Sequence, residues 1–450
     1  MATRSTIMDT NSFRSDAGGE LPWPTAQLVR RRERVLGPSY RLFYRRPVHL
    51  VRGEGAHLYD ADGLQYLDVY NNVASVGHCH PRVVAAIAEQ AAALNTHTRY
   101  LHDRVVQYSE DLLATMPDEI DQVMFMCTGS EANDLAVRVA QAATGGTGVI
   151  VSAEAYHGNS ALTSQMSPAL GTAQRLGLEV RTVPVPDPLR TGTDDPGAWF
   201  AARMAEAVAD LERHGVKVAA FVADSIFSSD GVFPDPVGYL APAVDVVRRA
   251  GGVFVADEVQ PGFGRTGSEF WGFARHGVVP DLVTTGKPMG NGIPVSAMAA
   301  RSDVLAAFGE QIPYFNTFGG NPVSIAAAQA VLAVIAEERL QERAARTGAR
   351  FLDELRTLTA DHPLIGDVRG VGLYIGVDVV TDRVSMAPST QVALDLVEAL
   401  RDRRVLTSVC GAGGNVLKLR PPLVFSDDDV DWFCAAFADA LDDVLVPDRP

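Results

Sequence analysis

The chain has little of what ties a protein to a disulfide framework, a membrane, a nucleic acid or a metal. Its 450 residues include only four cysteines, Cys79, Cys127, Cys410 and Cys434, spread too widely for a C-x-x-C or zinc-ligand spacing. That scarcity favours a reducing, cytoplasmic setting. No run of about 18 apolar residues reads as a membrane span, and the polar opening (MATRSTIMDTNSFRSDAGGE) lacks the apolar centre of a signal peptide. Basic charge is also scarce. Lys and Arg number 39 against 55 Asp and Glu, a formal charge of −16, which argues against a nucleic-acid or anionic-membrane partner. The cluster Arg30, Arg31, Arg32 and Arg34 is interrupted by Glu33 and reads as a solvated helix face. His78 and His80 stand two apart with no acid or cysteine set beside them, so they read as polar loop residues near a pocket and no metal is expected.

Two motifs are missing outright, the Walker A phosphate loop and the G-x-S-x-G nucleophile elbow. Gly262 to Gly267 matches G-x-G-x-x-G letter for letter. The context fails: the preceding strand ends in Asp257-Glu258, Pro261 intervenes, and the following residues are aromatic and polar where an apolar helix is needed.

What is present is an ordinary globular composition, 47% hydrophobic and 21% charged, with length enough for two or three domains. Residues 1–20 read as a loose leader. A helix with an extended lead-in covers Trp23 to Tyr44, and a hairpin turns at Asp62-Gly63. Buried-strand patterns follow at Gln122 to Cys127, Gly148 to Ser152, Leu178 to Val183, Lys217 to Ala223, Gly252 to Asp257 and Asp281 to Thr285. Strands alternating with helices imply an α/β fold, a mostly parallel sheet covered on both faces. After Arg301 the chain turns helical, with an alanine-rich helix from Val323 to about Ala345, and from Leu364 short strands mix with helices. The expected division is 21–75 and 326–450 in a smaller α+β domain, with 76–325 as the large domain.

Chemistry-bearing residues collect at the ends of those strands. Asp257 ends one and Lys287 follows another, placing an acid and an amine at the crevice where open α/β sheets bind ligands. Thr128-Gly129-Ser130-Glu131 lies between a strand and a helix. Two readings of it are equally supported: a phosphate site of bare backbone N–H groups, or a plain cap with Ser130 capping. Tyr156 can offer an aromatic face to a planar ring. Together these parts suit pyridoxal phosphate (PLP), which needs an amine, an acid at its ring nitrogen, a phosphate cradle and a stacking surface.

The motifs GHCHP (Gly77 to Pro81), TGSEAND (Thr128 to Asp134), AYHGN (Ala155 to Asn159), ADEVQPGFGRTG (Ala256 to Gly267), TTGKPMGNGIP (Thr284 to Pro294) and FNTFGGNPVS (Phe315 to Ser324) resemble the class III, ω-aminotransferase-like family of fold-type I PLP enzymes. The resemblance runs from about Leu42 to Val444. It implies a seven-stranded-type large sheet, a small domain from both chain ends, and a homodimer with shared active sites. It further implies Lys287 as the Schiff-base lysine, Asp257 at the ring nitrogen, Gly129 and Ser130 on the phosphate, and Tyr156 on the ring with Val259 and Gln260 opposite. His157 and Asp224 join the cofactor-binding set, and Thr317 reaches the neighbouring subunit's phosphate.

The chain departs from the family pattern at two places. Family members that use amino acids carry an arginine three residues before a Pro-Pro pair; here that position is Lys418, before Pro421-Pro422. Where some have a partner glutamate, this chain has Ser229. A lysine cannot make an arginine's two-pronged grip on a carboxylate. Segments such as Leu94 to Asp103 and NVLKLRPPLVF resemble the ethanolamine-phosphate phospho-lyase branch. The expected activity is elimination of phosphate from a small amino-alcohol phosphate, with amine transfer to a keto acid as the alternative. Arg99, Lys418 and Arg420 are the candidate groups for the substrate's phosphate.

Overall fold

The computed structural model describes residues 9–14 and 21–445. A helix over Trp23–Val35 precedes the first three strands, β1 (Leu50–Glu54), β2 (His57–Asp60) and β3 (Gln65–Asp68). Asp60 shapes the hairpin between β2 and β3, its Oδ1 accepting the N–H groups of Asp62 and Leu64 at 3.0 and 2.9 Å. The large sheet then takes β4 (Gln122–Met126), β5 (Gly148–Ser152), β6 (Val180–Val183), β7 (Val218–Ala223), β8 (Val253–Asp257), β9 (Leu282–Thr285) and β10 (Ser296–Ala300). The C-terminal part adds β11 (Ile365–Val371), β12 (Tyr374–Val379), β13 (Val405–Leu406), β14 (Ser408–Cys410) and β15 (Val416–Leu419).

The seven-stranded sheet has the order β4-β10-β9-β8-β7-β5-β6. β10 pairs antiparallel with both neighbours, whereas β9, β8, β7, β5 and β6 are parallel. All residues of β5, β7, β9 and β10 are buried, as continuous apolar runs require when helices cover both faces. The helix Gly129–Thr144 supplies one cover, burying Ala132, Leu135, Ala136, Val139 and Ala140 at i, i+3, i+4, i+7 and i+8. Because β7, β8 and β9 are parallel neighbours, their carboxyl ends place Asp224, Asp257 and Lys287 along one edge.

The small domain is built from both chain ends. β13 pairs with β3 in parallel, completing the sheet β1-β2-β3-β13, and β11-β12-β15-β14 form a second one. Three features differ from expectation. β10 has no strand signal in its sequence, because Ser-Ala-Met-Ala-Ala carries neither β-branched nor aromatic residues. The helix expected to run to about Ala345 is two, Pro322–Glu337 and Leu340–Thr359, broken where Arg339 takes φ +52°. Of the expected loose leader, residues 1–8 and 15–20 lie outside the described residues, but 9–14 are held. The Tyr44 N–H bonds the Asn11 carbonyl at 2.8 Å, and Asn11 is buried beside Ser408.

The glycines of the G-x-G-x-x-G match serve packing. Gly264 and Gly267 both take φ +74°, and a Cβ on Gly267 would lie 2.6 Å from the backbone of Ala345. The turn thus sits directly on the helix Leu340–Thr359. Gly267→Ala should cost roughly 2–4 kcal/mol from left-handed strain and overpacking, read as a lower urea midpoint; an unchanged midpoint would show that the helix can move aside.

Candidate active site

A cavity of about 330 Å³ opens at the carboxyl edge of the large sheet. Nine of the residues named from sequence line it: Gly129, Ser130, Tyr156, His157, Asp224, Asp257, Val259, Gln260 and Lys287. They come from the ends of five separate segments, so the fold rather than local sequence assembles them.

Asp257 is the most heavily engaged. Its Oδ2 accepts from Asn133 Nδ2 at 2.9 Å and faces His157 Nδ1 at 2.7 Å, while Oδ1 accepts the Val259 N–H at 3.1 Å. Burial pushes this carboxyl's pKa up. The bonds and charge from His157, the Asn133 amide and the charge of Lys287 more than offset that, so its pKa lies below the ordinary value. Asp224 has no such cationic neighbour in contact. It keeps some surface open to the cavity, yet its surroundings are dense enough that burial raises its pKa, against bonds from Ser228 and the Ile226 N–H.

The helix Gly129–Thr144 points its N-terminus at the cavity. Its cap is Thr128, not Ser130: Thr128 Oγ1 accepts the Glu131 N–H at 3.2 Å, and Glu131 Oε2 accepts the Thr128 N–H at 2.9 Å in a reciprocal capping box. Ser130 Oγ instead bonds Asn159, at 3.1 Å to both its side chain and its N–H. The N–H groups of Gly129 and Ser130 are therefore the first two of the helix, with no intrahelical acceptor. A Cβ on Gly286 would lie 3.3 Å from the Gly129 nitrogen, so the lysine loop passes close to this terminus. Tyr156 and Val259 also line the cavity.

Lys287 begins a short 3₁₀ turn, Lys287–Gly290, directly after β9. The turn is clamped from the segment preceding Pro81: Ser75 Oγ donates to the Pro288 carbonyl at 2.8 Å, and Asn291 Nδ2 to the Gly77 carbonyl at 2.8 Å. The lysine pKa falls to about 8, chiefly through burial and next through the charge of Arg420, with Asp257 and Asp224 acting the other way.

Lys418 and Arg420 are buried, at the end of β15, behind the cavity wall rather than in it. Gln260 links Arg420 to it. Its Oε1 accepts from Tyr374 Oη at 2.9 Å and from Arg420 Nη1, and Arg420 also stacks over Tyr70 at 4.3 Å. Lys418 lies 5.8 Å from the Tyr374 ring centroid, and burial together with Arg420 pushes its pKa down to about 7. Among the described residues, neither cation has a carboxylate within ion-pair distance. Ser229 is buried and borders a neighbouring cavity. Arg99 and Thr317 are exposed and away from this cavity in the single chain, with Arg99 stacked on Phe315 at 4.6 Å. His78 and His80 face different acids, Asp68 at 2.7 Å and Glu338 at 3.1 Å.

Sequence reasoning missed Asn133, Thr284, Tyr70 and Tyr374. Asn133 had one signal, an amide on an otherwise apolar helix face. The acid and amine together let this site hold and move a proton at a bound ligand. Lys287 should accordingly titrate near pH 8 in cofactor-free protein, where its free-amine fraction rises through that pH. Arg420→Gln removes a positive neighbour and should raise the midpoint. Competitive acetylation read by mass spectrometry checks both; a midpoint near 10.5 in the unaltered protein would mean that the amine is not desolvated.

Residues 43–441 match the family model described as aminotransferase class-III. An alanine–glyoxylate aminotransferase 2-like protein of Drosophila melanogaster is 41% identical over 93% of this chain and 87% of its own length. The ethanolamine-phosphate phospho-lyase homolog 1 of Caenorhabditis elegans is 36% identical over 93% of each. A solved phospholyase from Arthrobacter, in complex with phosphoethanolamine, superposes with a TM-score of 0.89 at 41% identity over 92% of this chain and 99% of that one. A matched family model, a seven-stranded sheet of this topology and a cavity joining a helix N-terminus, an acid and an amine lead to one conclusion: the chain belongs to the class-III aminotransferase family and is a PLP-dependent enzyme.

Proposed function

We propose that this enzyme eliminates phosphate from a small amino-alcohol phosphate such as phosphoethanolamine, giving an aldehyde, ammonia and phosphate. The observation that carries the reading is the buried pair Lys418 and Arg420, two cations beside Lys287 with no carboxylate in contact among the described residues. Uncompensated buried positive charge is costly, and a dianionic phosphate relieves that cost far better than a substrate carboxylate gripped by one lysine. The Arthrobacter phospholyase and the C. elegans homolog support the same reading by their names. The Drosophila relative's name favours amine transfer to a keto acid instead.

Three features support seating PLP in the cavity: the two unbonded helix N–H groups, a bare backbone at Gly286 where a Cβ would crowd them, and an ionised carboxylate with one oxygen lightly used. Gly129 and Ser130 would hold the phosphate group, Tyr156 and Val259 the two faces of the ring, and Asp257 its nitrogen. Bound PLP supplies an electron sink for the pair left when a Cα proton departs. Lys287, half neutral near pH 8, is the base for that proton. Lys418 and Arg420 lend positive charge to the leaving phosphate from behind the Gln260 wall, and its departure needs no second amino acid. The unsaturated amine product then hydrolyses.

A second copy completes the site in this reading. Leu101 is 100% exposed, and Tyr100 and Phe318 are 66% and 68% exposed, around Arg99 and Thr317. So much exposed apolar surface calls for a cover, and a homodimer would carry Thr317 to the neighbour's phosphate.

Phosphate release from phosphoethanolamine without any keto acid is the direct test. No release, together with alanine formed from an amine and pyruvate, would sink the lyase. Lys418→Ala should lower kcat/KM for phosphoethanolamine about 10- to 100-fold, the worth of one fixed buried charge near the leaving group, while leaving the cofactor absorbance intact. Lys287→Ala should abolish turnover. Sedimentation should give twice the chain mass of 48.1 kDa, and Leu101→Asp should shift that species toward monomer with weaker PLP retention; a monomeric unaltered enzyme would remove Thr317 from the site.

A further inference from the structure

Asn133 occupies the second turn of the helix Gly129–Thr144, 1% exposed, among buried Ala132, Leu135 and Ala136. A buried amide on an apolar helix face is expensive unless each of its hydrogen-bonding groups is used. Here they are. Nδ2 donates to Asp257 Oδ2 and to the His157 carbonyl, both at 2.9 Å, and Oδ1 accepts from Thr284 Oγ1 at 2.6 Å. Thr284 is fully buried on β9 and stands opposite Asp257 in the β8–β9 register.

The arrangement admits one amide orientation. Flipping Asn133 would turn its oxygen toward a carboxylate and a carbonyl, two acceptors that need donors. The Thr284 hydroxyl locks the other side. Asp257 Oδ2 is thereby saturated by Asn133 and His157, whereas Oδ1 holds only the Val259 N–H. The carboxylate's remaining capacity is concentrated on Oδ1. Asn133 also lies four residues into the helix whose first N–H groups face the cavity, and it grips the carbonyl of His157, next to Tyr156. One side chain therefore ties together the helix N-terminus, the Asp257 carboxylate and the Tyr156 segment.

We propose that Asn133, oriented by Thr284, is a positioning residue that sets which oxygen of Asp257 meets the cofactor's ring nitrogen and at what spacing from the phosphate-holding helix end. This rests on the reading of Asp257 as the acid at that nitrogen. Without the Thr284 hydroxyl, the Asn133 carbonyl loses its partner and the amide is held from one side only, so its grip on Asp257 loosens. The carboxylate becomes more basic and less well aimed, and protonation of the ring nitrogen loses its fixed partner.

Thr284→Val keeps the shape and removes the hydroxyl, Asn133→Ala removes the amide, and Thr284→Ser restores a donor. Each is purified, stripped of PLP and reconstituted. PLP affinity is then measured by fluorescence, and the cofactor's absorbance is titrated against pH. Thr284→Val and Asn133→Ala should weaken PLP binding about 10- to 100-fold and move the absorbance titration by about half a pH unit or more, with Thr284→Ser close to the unaltered enzyme. Asp257→Asn separates the two layers. If it leaves the spectrum unchanged, the parent reading of Asp257 fails; if it perturbs the spectrum while Thr284→Val and Asn133→Ala do not, the positioning role fails. Thermal melting of the cofactor-free variants guards against misfolding, and a folded Thr284→Val with unaltered spectrum and affinity overturns the proposal by itself.

Discussion

A charged carboxylate at the inner end of a fully covered strand is the constraint around which the large domain is arranged. Asp257 is 5% exposed, and burial by itself would neutralise it. It stays ionised because donors reach it from three directions. His157 comes from the segment after β5, Asn133 from the helix after β4, and the Val259 N–H from its own turn. Those donors can converge only if β5, β8 and the helix Gly129–Thr144 keep their relative positions. The helix is in turn fixed by its buried alanine and leucine stripe, and β8 by pairing with β7 and β9. The sheet's order is thus a requirement of one acid's charge as much as of hydrophobic burial.

The same logic makes the poles of the site easy to see in sequence and their supports hard. Asp257 and Lys287 stand at the ends of short, strongly apolar runs, and a polar residue there has few structural uses. Gly129 and Ser130 are legible because small residues at a strand-to-helix junction expose backbone. The capping residue was not separable from its neighbours, since Thr128 and Ser130 are chemically alike and only the backbone geometry makes Thr128 the cap. Asn133 and Thr284 pair 151 positions apart in the chain, so no local window could reveal them. β10 escaped because its sheet partners, not its own residues, hold it extended.

Lys418 illustrates a different kind of legibility. Its departure from the family pattern was visible as a letter, but its meaning depended on burial and on Arg420 two residues later. In an extended strand, residues i and i+2 share a face, so a second cation at that spacing compounds the first instead of neutralising it. Arg420 lowers the proton affinity of Lys287, and Lys287 in turn lowers that of Lys418. Lys287 and the two basic groups behind the wall are therefore electrostatically coupled. In the proposed reaction an incoming dianion would offset the positive field that depresses Lys287, and the amine would become a stronger base with that substrate bound than without it.

That coupling bears on why one cofactor site can serve two reaction classes. Transamination and elimination share the first step, removal of a Cα proton, and the same acid and amine serve both. They part at the β carbon, where a leaving group either is or is not held by fixed positive charge. In the proposed reading that choice would fall on residues behind the cavity wall, reached through Gln260, whose carbonyl is engaged by both Tyr374 and Arg420. Gln260 belongs at once to the cofactor pocket and to the cation cluster. A change at Arg420 or Tyr374 that rotates this amide would alter the pocket too, so these two residues couple the cluster to the cavity where Lys418 does not.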